Sequence, residues 1–222
     1  MFDGSLFETS FTLNDLWFML KGAGVSISIT LWAVLGGTLL GLMFGLVRTI
    51  VPWWANAPIG FVLDIFRSVP LLIQFILANS FKSIVGLNWS AFTVGCLVLA
   101  VYTAAFCTEI VRGGILAVPT TTRRAARSLG LSWRQDLTEI VFPIALRVAL
   151  PNWIGLTLGV MKDTALVLWL GIVELLRSSQ IVVTRIQEPL FVLSIAGLIY
   201  FLMSFPIARL GTGLEKRWRE ND

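Results

Sequence analysis

Lys162 and Asp163 stand side by side, followed by Thr164, between an apolar run of span length and a shorter one. Ionised groups at membrane depth are costly and are read first as functional. A helix broken here would offer both charges and free backbone groups to a solute. A solute carrying both charges, such as a free amino acid, would suit the pair. On an intact helix, adjacent side chains diverge by about 100°, so the two grip one ligand only if the backbone unwinds. The other reading is an ion pair, mutual or between helices, that stabilises the turn. Gln74, Asn79 and Asn152 are further polar residues in apolar runs, open to solute contact or to hydrogen bonds between helices. Glu109 and Arg112 lie one helical turn apart and suit a structural pair at the membrane surface. Arg67, beside Pro70, suits an anchor whose charge snorkels to the interface.

Covalent chemistry finds little support. The chain has no histidine, which removes imidazole ligands and His-based acid–base catalysis. None of its four lysines follows a glycine, so the GxxxxGK[ST] phosphate loop is missing. Cys96 and Cys107 share one apolar run, 11 residues apart. On a helix that is about 16 Å along the axis, too far for a disulfide, and both read as small core residues.

The elements that must position these residues are membrane spans. Mean hydropathy is +0.83, 56% of residues are hydrophobic and only 14% are charged. At roughly 20 residues per span, 222 residues allow one all-α domain of about five or six crossings. Five runs qualify: 22–47, 58–81, 83–108, 140–161 and 189–208. Thr164–Val173 is too short to cross, and Leu175–Glu188 is polar. The first 15 residues hold three acids and no Lys or Arg, unlike a cleavable signal. They read as a short amphipathic lead-in with Phe7, Phe11, Leu16, Trp17 and Phe18. Five spans put the termini on opposite sides. Twelve Lys and Arg fall on one set of flanks and five on the other. By the positive-inside rule the N-terminus is outside, and the 113–139 insert and C-terminus are cytoplasmic. Gly37, Gly41 and Gly45, spaced by four in the first span, suit close approach of another helix or another subunit. Ordinary glycine enrichment of membrane helices is the alternative.

The insert is a long polar stretch between two spans. Pro119 and Thr120–Thr122 start a short helix, with threonine hydroxyls suited to the cap. Ala125, Ala126 and Leu129 give it a small apolar face flanked by Arg123, Arg124 and Arg127. Gly130 ends it in a left-handed cap. Ser132-Trp133-Arg134-Gln135 is a capping-box pattern that starts a second helix, running through Leu137 and Ile140 to Pro143. Two helices meeting at a glycine elbow suit a docking surface. A basic loop held at anionic lipid heads is the other reading.

The insert resembles the "EAA" motif of ATP-binding-cassette importer permeases, in which Glu-Ala-Ala is followed by three residues, Gly, nine residues and Ile-x-Leu-Pro. Here the match is Arg124-Ala125-Ala126, Gly130 and Ile140-Val141-Phe142-Pro143. Phe66-Arg67-Ser68-Val69-Pro70-Leu71-Leu72, Glu109-Ile110-Val111-Arg112-Gly113-Gly114-Ile115 and Lys162-Asp163-Thr164-Ala165-Leu166 resemble stretches of the polar amino-acid branch. The likeness covers about residues 22–217. It implies an all-α, MetI-like permease of a type I importer, with an ATPase docked at the cytoplasmic face on Arg124, Ala125, Ala126, Leu129, Gly130 and Leu131. It also implies an external solute-binding protein and a second permease subunit, identical or sister. ATP and Mg would sit on the ATPase and no cofactor on this chain, with lipid around the spans and no nucleic acid. The location would be a bacterial cytoplasmic membrane, and the solute path would involve Lys162, Asp163, Thr164, Gln74 and Asn79. The chain departs from the family at Thr121-Thr122 (usually Gly-Gln), Ala165 (usually Ser) and Arg124, where the family's glutamate is replaced by the opposite charge. A non-transporting scaffold with a drifted coupling segment is the competing expectation. A self-sufficient secondary carrier is a third, resting on Asp163 as the near-central acid and opposed by the small span number.

Overall fold

A computed structural model describes residues 10–219. Helix α1 (Leu13–Ile50) is opened by a capping box in which the Thr12 amide donates to Asp15 and the Asp15 amide to the Thr12 hydroxyl. Its 38 residues exceed the 22–47 run at both ends, giving about 57 Å of helix at 1.5 Å per residue. Of the amphipathic lead-in, Phe11, Leu16 and Phe18 pack on a buried cluster, while Phe7 lies outside the described residues.

The run 58–81 does not form one straight span. It becomes α2 (Trp53–Ser68) and α3 (Leu71–Val85), bent by 104° at Val69-Pro70. Proline lacks the amide and crowds the residue before it out of the helical region, and Val69 is extended at φ −77, ψ 129. Hydropathy cannot register such a bend because both arms are equally apolar. The third run likewise starts later than 83. Gly86, at φ +72, ends α3, and α4 (Ala91–Leu116) begins after Ser90, whose hydroxyl accepts from the Thr93 amide.

After α4 come α5 (Thr120–Ser128), α6 (Trp133–Gln135), a π-helical turn Asp136–Val141 and α7 (Phe142–Asp163). The helix continues as a 3₁₀ stretch, Thr164–Leu170, until Gly171 at φ +80. The polar run 175–188 is largely a helix, α8 (Leu175–Ile186), and α9 (Pro189–Arg219) completes the described chain.

Contacts set the directions. A Cβ added at Gly41 would meet Cys107, and one at Gly45 would meet Val111, so α1 and α4 advance together and run parallel. The glycine seam therefore closes on α4 of the same chain, the most extensive helix pair in the fold. Parallel neighbours require an odd crossing between them, which the bent α2–α3 pair supplies. Gly114 lies against Ala145 and Gly95 against Val167, so α7 runs back along α4. Gly211 of α9 meets Ile154 and Ser204 approaches Met161, so α9 is antiparallel to α7. The start of α1 and the end of α9 thus lie at opposite ends of a bundle with four helices of span length, or five if the bent α2–α3 pair is one span. One core joins Ile29, Ala33, Phe75, Leu99, Val160 and Val167 of α1, α3, α4, α7 and the 3₁₀ stretch. A second joins the start of α1 to α8 and α9 around Met19, Leu175 and Val192. Leu39, Phe61 and Leu190 are among many large apolar side chains left on the outside, as a lipid-facing surface requires.

Candidate functional site

The insert folds as two short helices at a glycine elbow. Proline, and no threonine side chain, caps α5: Pro119 stands at the cap, where no side-chain hydrogen bond forms. Proline's fixed φ is already suited to a helix start, which leaves the threonines inside the first turn. At the far end the Leu131 amide donates to the Ala126 carbonyl and the Gly130 amide to that of Arg127. With Gly130 at φ +87, this is a Schellman closure. The Ser132–Gln135 capping box forms as expected.

The apolar face differs from the one expected. Ala126 is turned inward and buried, while Ala125 is exposed and Leu129 is 82% exposed. Leu131 is half-buried. The outward surface therefore consists of Arg124, Ala125 and Leu129, continued across the elbow by Trp133 and Arg134, both exposed. Arg123 and Arg127 do not flank this face symmetrically. Both reach back to Asp136, whose side chain is 0% exposed; Arg123 donates from Nη2 at 2.8 Å and from Nε at 3.1 Å. Asp136 was not legible as a site residue, since an acid amid four arginines in a polar segment suggests only solvated charge.

At the same end of the bundle, Arg48 of α1 pairs with Glu109 of α4, which also pairs with Arg112 at 3.1 Å. Arg48 further donates to Asn56 at the start of α2, and Gly60 leaves room for its guanidinium. The Glu109–Arg112 pair was expected; its link to α1 and α2 comes from the fold. Arg67 pairs with Asp64, one turn away on its own helix.

The residues expected along a solute path are held in different ways. The helix does not unwind at Lys162-Asp163: Asp163 (φ −67, ψ −17) and Thr164 (φ −58, ψ −24) stay helical and only tighten to 3₁₀. Lys162 is exposed and Asp163 half-buried, and no ion pair within 4 Å joins them. Thr164 is buried and donates to the Met161 carbonyl at 2.6 Å. Gln74 is buried at the elbow between α2 and α3, where its amide donates at 2.8 Å to the carbonyls of Phe66 and Val69. It satisfies groups that the proline bend leaves open, a bond between helices as one of its two readings held. Asn79 is half-buried, and Asn152 donates to the Val148 carbonyl of its own helix. Helix α3, which carries Gln74 and Asn79, packs on the 3₁₀ stretch that Thr164 opens.

A buried acid, Glu174, was passed over in the sequence. Its carboxylate caps α8, accepting from the amides of Leu176 and Arg177 at 2.8 and 2.7 Å, and also from Ser26 and from the Tyr200 hydroxyl at 3.1 Å. Glutamate is not among the residues favoured at a helix cap, so nothing in Glu174-Leu175-Leu176 announced this role.

Comparison with known proteins agrees with this architecture. Residues 37–220 match the family described as binding-protein-dependent transport system inner membrane component. The probable amino-acid ABC transporter permease protein YckA of Bacillus subtilis is 30% identical, covering 96% of this chain and 94% of its own. The octopine transport system permease protein OccM of Rhizobium radiobacter is 29% identical over 94% of this chain and 89% of its own. The glutamine transport system permease protein GlnP of Escherichia coli is 27% identical over 90% and 93%. A solved amino acid ABC transporter superposes with a TM-score of 0.82 at 28% identity, covering 90% of this chain and 94% of that one. The MetNI methionine ABC transporter, at 21% identity and a TM-score of 0.70, shares the fold. The chain belongs to the binding-protein-dependent transport system inner membrane component family. It is a membrane permease component of an ABC importer rather than an enzyme, with the all-α, MetI-like fold expected.

Proposed function

We propose that this chain is the membrane-spanning subunit through which an ATP-driven importer moves a polar amino acid, or a related small polar solute, into the cytoplasm. The observation that carries this reading is the α5–Gly130–α6 elbow, whose outward face of Arg124, Ala125, Leu129 and Trp133 is free to engage another chain. With no phosphate loop in the sequence, ATP and Mg belong on a separate ATPase docked at that face. An external binding protein delivers the solute. A second permease, identical or sister, completes the path, because five passes are few for enclosing one. The solute class is supported by relatives named for octopine, glutamine and amino-acid transport. The twelve-to-five split of Lys and Arg supports an outside N-terminus and a cytoplasmic elbow and C-terminus. Lys162, Asp163 and Thr164 remain the residues proposed nearest the path, with Gln74 and Asn79 shaping the helix opposite. Gln74 acts there through the bend it closes.

The test is ATP hydrolysis by the complex of this chain with its ATPase in lipid, with and without binding protein and amino acids. Stimulation by one amino acid is expected, and it identifies the solute. Leu129→Asp, at an exposed position, should weaken ATPase binding about tenfold, the loss of a modest interface hot spot. Arg124→Glu should change coupled hydrolysis, because it reverses charge on the docking face. A complex that neither an amino acid nor a related small polar solute stimulates, or a Leu129→Asp variant that binds and responds like wild type, would sink the reading.

A further inference from the structure

The joint between α5 and α6 is only Leu129 to Ser132, with a glycine at its centre. Such a hinge transmits little by itself. Across it lies the ion cluster on Asp136, in which Arg123 at 2.8 Å and Arg127 at 3.5 Å, one helical turn apart on α5, converge on the single oxygen Oδ2. Asp136 opens the π-turn that leads without interruption into α7. Its side chain is 0% exposed, while the two arginines are 32% and 53% exposed. Its Oδ1 is buried with no partner.

A buried carboxylate is an expensive way to gain stability, since an apolar residue of similar size often does as well. A charge that two cations must face does fix orientation. With Arg123 and Arg127 drawn inward, the rotation of α5 is set, and Arg124 and Leu129 are turned out. The apolar contacts of Val118, Val141 and Ala145 nearby join the end of α4 to α7; of α5, only Ala126 is buried. Single π-turns inside helices recur at functional positions.

We propose that Asp136 is the positioning residue of the coupling step: it latches α5 to the start of α7, so that displacement of the docking face moves the α7 span with it. The inference rests on the importer reading, and its test separates the two. The complex with the ATPase is assayed in lipid as wild type, Asp136→Asn and Asp136→Glu. The readout is the ratio of hydrolysis with binding protein and amino acid to hydrolysis without them. A role in stability alone lowers both rates through loss of assembled complex and leaves the ratio in place.

The latch requires the ratio to fall roughly fivefold or more in Asp136→Asn, the lower end of coupling between linked sites, with partial recovery in Asp136→Glu. Amide hydrogen exchange should quicken across 120–128 and stay unchanged across 142–163. A wild-type ratio in Asp136→Asn, or unchanged exchange in α5, overturns the latch. A wild-type complex that nothing stimulates overturns the importer reading instead, and the exchange measurement still decides the latch. If Asp136→Asn does not assemble, Arg127→Gln removes the more exposed arm, and an unchanged ratio there overturns the proposal.

Discussion

The α1–α4 seam makes a signed prediction about a single methyl group. A Cβ at Gly41 would lie 2.5 Å from the Cys107 Cβ and 3.1 Å from the Thr108 amide nitrogen, whereas one at Gly24 on the same helix has nothing within 4 Å. Alanine is favoured over glycine in a helix by about 1 kcal/mol, so Gly24→Ala should stabilise by up to that amount. At Gly41 the same gain is set against overpacking, which costs typically about 1–3 kcal/mol. One of the two clashing neighbours is backbone and cannot rotate aside, so α1 and α4 must separate. The net loss should be up to about 2 kcal/mol, leaving the two variants about 1–3 kcal/mol apart. Reversible unfolding of each variant in lipid-like bicelles or mixed micelles measures this directly. Equal stabilities, or Gly41→Ala the more stable, would refute the claim that backbone proximity to α4 holds these glycines in place.

Two further outcomes follow from the charged and polar contacts. Arg48→Met removes the charge that joins α1 to Glu109 and Asn56, and with Arg48 only 10% exposed the loss should approach the ~3 kcal/mol of a broken buried pair. Arg67→Met breaks a more exposed pair within one helix and should cost under about 1 kcal/mol; unfolding of the two variants side by side checks the ranking. Gln74→Leu leaves the Phe66 and Val69 carbonyls without its amide and should cost about 1–3 kcal/mol. Faster hydrogen exchange at the α2–α3 bend should accompany that loss, and an unchanged exchange profile would show that proline alone holds the bend.

Much of this protein was written along the chain. Apolar runs of span length, separated by charged flanks, mark the four helices long enough to cross and the bent pair that makes up to a fifth, because each helix must satisfy its own backbone in lipid. The elbow was readable from Gly130 and the Ser132–Gln135 box because caps and left-handed turns are decided by residues within one turn of each other. The glycine spacing announced a close helix contact, although only the fold showed that the partner is α4.

What the chain alone could not settle depends on groups far apart in sequence. The 104° bend splits a run of uniform hydropathy. Ala126 is buried on an α5 whose Arg123 and Arg127 both meet Asp136, and the charge cluster at the helix ends depends on Arg48 meeting Glu109, 61 residues away. Glu174 becomes a buried cap only when Ser26 and Tyr200, 148 and 26 residues distant, close around it. Local capping and burial patterns are short-range properties that a sequence carries in itself. Which charges pair, and which face of a helix they turn outward, is decided by three-dimensional proximity, because an ion pair gains its energy from distance in space and not from spacing along the chain.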